Sequence, residues 1–318
     1  DDASTDSSRE IIFSFNDSRI KLIENKKNIG QARSLNIGLK KAKGEYIARM
    51  DQDDISLPKR LEHQVRVMKQ NRNVGVCGTF AQFIDISGKD LKPKYNEKMM
   101  TENKDLKPLL LFRPCFVHPS VVIRLSLLNK HDLFYEEVAG HAQDYLLWYR
   151  LSSLTDFMNI SDKLIKYRIH EKQLSKGEFN DQFLSSININ KIIIEDFIGR
   201  KLSEVEKIKH KRISISQYCS NFTEIDEAEN WIKMLINYNE RNRKYETKSL
   251  NKVLENIWTL LCMNSSHLGV QLLLKYFFSP FWRFRNENLY HELKLIIKCV
   301  IKYKVKFPIY RTFIDNVK

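Results

Sequence analysis

The sequence predicts an α/β fold over its first 175 or so residues, joined to an α-helical C-terminal extension. Segments of helical period alternate with short apolar runs up to that point, the pattern of a sheet built from strand–helix units. Beyond Ser175, runs of helical period follow one another and mix with Lys and Asn. A third observation fixes attention on residues 45–54, Glu-Tyr-Ile-Ala-Arg-Met-Asp-Gln-Asp-Asp, an apolar run that ends in Asp51, Asp53 and Asp54. A buried strand ending this way delivers carboxylates to the crevice where open α/β sheets place their ligands.

In chain order, residues 4–15 read as a helix, 19–23 as a strand, 30–42 as a helix and 46–50 as the next strand. Pro58 suits the first turn of a helix that runs to Gln70, and residues 74–86 are strand-like. Residues 145–154 set Leu146, Leu147, Tyr149, Leu151 and Leu154 near helical spacing, and 164–169 read as a closing strand. In the extension, residues 183–198, 231–238, 253–263 and 289–301 are helical in period. These changes divide the chain into a first domain, 1–177, and a basic helical region, 178–318.

The composition narrows the class. At 318 residues the chain can bury a sizeable core. Ten glycines, seven prolines and no repeat give a globular chain. The five cysteines are widely spaced and include no CxxC, which supports neither a disulfide framework nor a zinc site and points to a reduced, cytoplasmic setting. The longest apolar stretch, 268–282, is broken by Lys275 and Pro280 and is too short for the ~20 residues of a spanning helix. The chain opens on Asp1 without Met or a signal-peptide pattern, as a fragment or processed product would. A net charge of +14 asks for an acidic partner, and 15 Lys and Arg against 5 acids between residues 241 and 318 place most of it in the last quarter.

The acidic cluster admits two readings. Asp51 and Asp53 would share one face of a continuing strand, where a divalent ion held by one or two carboxylates and substrate phosphates fits. Alternatively, residues 54–58 simply open the helix that carries Arg60, Leu61, Val65 and Met68.

Three further segments decide between these. They are Asp1-Asp2-Ala3-Ser4-Thr5-Asp6, residues 28–38 (Asn-Ile-Gly-Gln-Ala-Arg-Ser-Leu-Asn-Ile-Gly) and residues 141–151 (His-Ala-Gln-Asp-Tyr-Leu-Leu-Trp-Tyr-Arg-Leu). With the acidic cluster, in this order and spacing, they resemble the family 2 glycosyltransferases of the GT-A fold, whose signatures read VDDGSTD, NxGxxxARNxG, GEYIxxxDxDD and EDYDLWLRL. The resemblance covers residues 1 to about 175. It implies a Rossmann-like mixed sheet, a nucleotide-diphospho-sugar donor (a uridine one by the family pattern), a saccharide or lipid-linked acceptor in surface polysaccharide synthesis, and Mn²⁺ or Mg²⁺.

Carried over residue by residue, the resemblance makes Asp53 the metal ligand, with Asp51 beside it near the ribose and Asp54 as an assistant or a cap. Asp2 stands where the family accepts a hydrogen bond from uracil N3, a task suited to an acceptor-only carboxylate. Arg33 stands beside the base or diphosphate. Asp144 stands at the catalytic base of an inverting displacement, which needs one positioned carboxylate because the metal serves the leaving group. Gln143 replaces the family's preceding acid. His118, in Cys-Phe-Val-His-Pro-Ser, lines the acceptor side, and His170, in Tyr-Arg-Ile-His-Glu, closes the domain and can reach the metal or diphosphate.

No QxxRW segment is present, which fits single addition rather than processive synthesis. The family's first strand and helix precede its Asp-Asp pair, whereas this chain begins on that pair, so an inactive, truncated nucleotide-sugar-binding protein is the alternative. A basic nucleic-acid-binding protein is a weaker one, since no recognised module appears. In the tail, Phe277, Phe278, Phe281 and Trp282 among Lys275, Arg283 and Arg285 have the composition of a segment lying on an anionic membrane, which would make the protein peripheral on the inner membrane face.

Overall fold

The computed structural model describes residues 1–91, 100–170, 179–281 and 289–302. Strands β1 (Tyr46–Ala48), β2 (Ile55–Ser56), β3 (Val74–Ile84), β4 (Val122–Arg124) and β5 (Asp156–Arg168) form one sheet in the order β1-β4-β3-β5-β2. Only β3 and β5 pair in parallel; the other neighbours are antiparallel. The sheet is thus mixed, as the GT-A resemblance implies, with β3 and β5 as its long central pair. β3 is buried on both faces, which its near-continuous apolar run requires.

The helices of the first region are α1 (Ser8–Ser14), α2 (Gln31–Lys41), α3 (Arg60–Gln70), α4 (Asn103–Leu109), α5 (Leu125–His131) and α6 (Gln143–Ser152). A 3-10 segment, Glu137–Ala142, leads into α6. The second region continues with α7 (Phe179–Ile198), α8 (Glu204–Ser214), α9 (Phe222–Asn242), α10 (Thr247–Asn264), α11 (Val270–Phe278) and α12 (Leu289–Val300). Its helices have local reasons to start where they do: Ser203 and Glu206 form a reciprocal capping box on α8, and the Asn221 side chain accepts from Glu224 N on α9. The boundary expected at residue 177 lies outside the described residues.

Several expectations change. Residues 19–23 are not a strand. The Asp1 ammonium donates to Ile23 O at 2.7 Å and, just past the segment, Asn25 N donates to Asp1 O at 2.9 Å, too little for a ladder. The first helix starts at Ser8 rather than Ser4, because Ala3 adopts φ +63° and Ser4 turns back onto the Asp1 carboxylate. The closing strand is twice as long as the 164–169 run suggested: its N-terminal half alternates in burial and pairs with β3. In the tail, Tyr276 and Phe281 are core residues and Phe277 packs partly against the core, leaving Phe278 exposed; Trp282 lies outside the described residues.

The largest of three hydrophobic clusters among the described residues runs through both regions. Val76, Ile123 and Phe157 of the sheet connect through Leu147 and Trp148 of α6 to Ile193 and Phe197 of α7, and onward to Trp231, Trp258 and Leu261. α7 packs on the 3-10 segment and on α6, and α10 packs on α4. Polar ties reinforce the seam. Asn190 donates to Leu111 O, Lys252 pairs with Asp105, and His210 bridges Leu111 O (3.0 Å) and Trp231 Nε1 (3.1 Å). Its neighbours assign the His210 tautomer: Nε2 carries the proton toward the carbonyl, and Nδ1 accepts from the indole.

Candidate active site

The acidic cluster is a turn. β1 ends at Ala48, its pairing extends one residue as Arg49 N donates to Val121 O at 2.9 Å, and the chain then closes with Asp54 N 3.4 Å from Asp51 O. Asp51 and Asp53 therefore do not share a strand face as expected, and the three carboxylates go to three partners. Asp51 Oδ1 accepts from Arg49 Nη2 at 2.5 Å. Asp53 Oδ2 lies 3.1 Å from His170 Nε2. Asp54 Oδ1 accepts from Arg168 N at 2.8 Å, while its Oδ2 is buried without a hydrogen-bond partner. Asp54 is no helix cap: α3 begins at Arg60, after Lys59.

Two arginines hold the turn. Arg168 Nε donates to Asp53 O at 2.7 Å and its Nη1 to Asp85 O and Ile86 O, which ties the turn to the end of β3. Arg60 lies buried beneath it and donates to Arg49 O at 2.7 Å. Burial lowers the Arg60 pKa to about 10. Burial also raises Asp54 to about 7; the Arg168 N–H opposes the shift and the charges of Asp53 and Asp51 add to it.

Asp144 sits half-buried in the first turn of α6. Burial raises its pKa to about 6, opposed by the N–H groups at the helix start and by Arg49, and aided by Asp51. The charges of Arg49 and Asp51 reach Asp144, and His118, whose ring packs on Trp148 one helical turn beyond Asp144, lies three residues before Val121, the acceptor of Arg49 N. His118 Nε2 is 3.0 Å from Tyr135 Oη, and burial together with Arg49 lowers its pKa well below the usual range, keeping it neutral.

Asp2 lies in the N-terminal segment and Arg33 on α2. Asp2 accepts from Ile29 N and Gly30 N, both at 2.9 Å, and from Asn25 Nδ2 at 3.0 Å. Burial would raise its pKa, but these bonds with that of Ser34 outweigh it, and the carboxyl lies below its ordinary value. Gly30, at φ +91°, lets the backbone present that N–H. The next residue, Gln31, accepts from Gln143 Nε2 at 2.7 Å, so a short chain of contacts leads from Asp2 to the neighbour of Asp144. Arg33 pairs with Glu137 at 2.6 Å, both more than half exposed, which makes an exchangeable surface contact.

Arg49, Arg168, Tyr135 and Gln31 were not singled out from the sequence. For Arg49 a signal existed, since a charged side chain inside an apolar run ending at a carboxylate turn must be buried with a partner.

The Asp53–His170 pair tests whether a divalent ion suits the site. Both side chains are partly exposed, 30% and 19%. Two neighbouring ligands on an ion with bonds of about 2.1 Å stand about 3 Å apart, close to the separation observed. No group of three or more His, Cys, Asp or Glu suited to a metal occurs among the described residues. A bound ion would therefore take its remaining ligands from substrate and water.

The family model for Glycosyl transferase family 2 matches residues 1–130. The Escherichia coli UDP-Glc:alpha-D-GlcNAc-diphosphoundecaprenol beta-1,3-glucosyltransferase WfgD is 32% identical over 185 residues, 57% of this chain and 68% of that protein. The chain belongs to glycosyltransferase family 2. An uncharacterized glycosyltransferase of Methanocaldococcus jannaschii is 36% identical over 177 residues, and the match spans 55% of this family 2 chain but only 57% of the archaeal protein. Among solved structures, residues 1–349 of S. aureus TarS superpose with a TM-score of 0.46 at 16% identity, covering 94% of this chain and 77% of that one.

Proposed function

We propose that this family 2 glycosyltransferase moves a sugar, with inversion, from a uridine-diphosphate donor to a saccharide or lipid-linked acceptor during surface polysaccharide synthesis at the cytoplasmic side of the membrane. One observation supports the reading: the Asp53–His170 pair stands on the same turn as Asp51, whose charge, with that of Arg49, reaches the burial-raised carboxylate of Asp144. The name of WfgD supports the donor and the lipid-linked acceptor by likeness.

Asp144 takes the proton of the acceptor hydroxyl as that oxygen attacks the anomeric carbon. The bond from that carbon to the diphosphate oxygen breaks, and the diphosphate leaves with the electron pair. A carboxylate with a pKa near 6 is ionised at neutral pH yet basic enough for this work. Asp53 and His170 would hold Mn²⁺ or Mg²⁺, with Asp51 alongside; the imidazole favours Mn²⁺, because Mg²⁺ prefers all-oxygen ligation. When bound, the ion supplies charge stabilisation to the leaving diphosphate. Asp2 and Gly30 set the loop that faces the base, and Arg33 can exchange Glu137 for a phosphate.

The test is release of uridine diphosphate from a panel of donors, with and without Mn²⁺. Asp53→Asn is expected to weaken donor binding and to abolish the Mn²⁺ response. Asp144→Asn should retain donor binding and lose about 10²–10⁴ in turnover. Full turnover in Asp144→Asn would remove it as the base. Donor binding without turnover in the unsubstituted chain would favour a binding protein instead.

A further inference from the structure

Helices α11 and α12 each turn an apolar side outward. Val270, Leu274 and Phe278 stand four residues apart on α11; Leu293 and Ile297 on α12, with Ile301 just past its end, repeat the spacing. Residues so spaced line one side of a helix. All six are more than half exposed, and Phe278 reaches 85%. Their opposite sides, with Leu272, Leu273 and Tyr276 on α11 and Leu295 and Cys299 on α12, fill the core.

The side chain of Lys302 lies against Gly269, so the end of α12 meets the start of α11. The two helices are in contact, and each carries its own exposed stripe. A surface helix normally gives its outer side to polar residues. These two do not, and exposed apolar side chains in such stripes mark an interaction site.

The chain itself indicates the partner. Residues 282–288, between these helices, and 302–318, after them, contain seven Lys and Arg against two acids, with aromatic residues among them. Apolar stripes flanked by basic and aromatic segments combine hydrophobic insertion with attraction to anionic headgroups. No helix among the described residues is long and apolar enough to cross a membrane, so contact here would be lateral.

We propose that the α11–α12 face rests on an anionic lipid bilayer, with Leu274, Phe278 and Ile297 entering the acyl boundary. The proposal deepens the lipid-linked acceptor reading and rests on it for its purpose: the face would hold the site at the surface where such an acceptor resides.

Flotation of the full chain with phosphatidylglycerol-rich vesicles, compared with pure phosphatidylcholine vesicles, tests it. At least tenfold preference for the anionic vesicles, with release by molar salt, is expected. The combined Leu274→Ser, Phe278→Ser and Ile297→Ser variant should bind at least tenfold more weakly, with unchanged melting temperature and unchanged donor hydrolysis. No flotation, equal binding to both lipids, or unaltered binding of the variant overturns the proposal. So does light scattering that finds a dimer which the variant converts to a monomer, since the face then belongs to a second copy. Failure of the transfer reading would appear separately, as absent nucleotide release without vesicles, and would leave flotation intact.

Discussion

Asp144 must meet two opposed demands, a low enough pKa to be ionised in use and a high enough one to attract a proton. Burial supplies the second, and the N–H groups at the start of α6, with the Arg49 guanidinium, restrain it, leaving a value of about 6. The rate of transfer at limiting substrate should therefore fall below a midpoint near pH 6 on the acid side, and a pH profile of kcat/KM checks this. A midpoint near 4 would mean that Asp144 is solvated in the working enzyme. Next to Asp2, Ala3 occupies the family's glycine position and does so at φ +63°. An L-residue is disfavoured there. Ala3→Gly is expected to stabilise the fold by about 0.5–1 kcal/mol, measured by urea unfolding.

At the scale of elements, the position of Asp144 depends on how the 3-10 segment before α6 is held. Gly140 in that segment has φ +53°, and a Cβ added there would stand 2.6 Å from Ser185 Oγ on α7. Ser185 Oγ also accepts from His141 N at 3.3 Å. Gly140→Ala is expected to cost about 1–3 kcal/mol and to lower kcat more than it alters donor affinity, because it moves the base and not the acidic turn. Thermal melts and donor titration separate the two effects. A variant with wild-type turnover would show that α7 does not position α6. The Arg33–Glu137 pair and the Gln31–Gln143 bond join α2 to the same segment, so three elements converge on one helix start.

Across the whole molecule, His210 and Asp144 give stability opposite dependences on pH. Burial lowers His210 to about 4 from an ordinary 6.5. Between those values the unfolded chain binds the proton more readily, and acidification removes stability, by up to about 3 kcal/mol. Asp144 is raised to about 6 from 3.8, so the folded chain binds its proton first and acidification through that range adds stability. The two offset one another near pH 5. Asp144→Asn should be more stable than the wild type at pH 7, by about 1–3 kcal/mol, and its melting temperature should fall more steeply from pH 7 to pH 5. Parallel melting curves for the two proteins would contradict the assignment. His210 also shows why the two regions form one body: it reaches Leu111 of the first region and Trp231 of the second inside a shared core.

The sequence by itself determined the α/β character of the first region, the helical nature of the second, and the order of the segments that carry the family's chemistry. These are properties of period, composition and local spacing, which the chain expresses without reference to its folded partners. Residues 30–42, 58–70 and 145–154 form helices close to the expected bounds because their apolar faces repeat at helical spacing. Residues 19–23 show the limit: a strand exists only beside a neighbour that takes its hydrogen bonds, and pairing is not written in the segment itself. Likewise, the spacing of Asp51, Asp53 and Asp54 suggested a shared face, whereas the turn between β1 and β2 sent each carboxylate to a different partner. Those partners, Arg49, His170 and Arg168, stand up to 117 residues away along the chain. Only the tertiary structure could decide which charges are buried, and burial is what sets the pKa of Asp144 and exposes Phe278 while hiding Phe281.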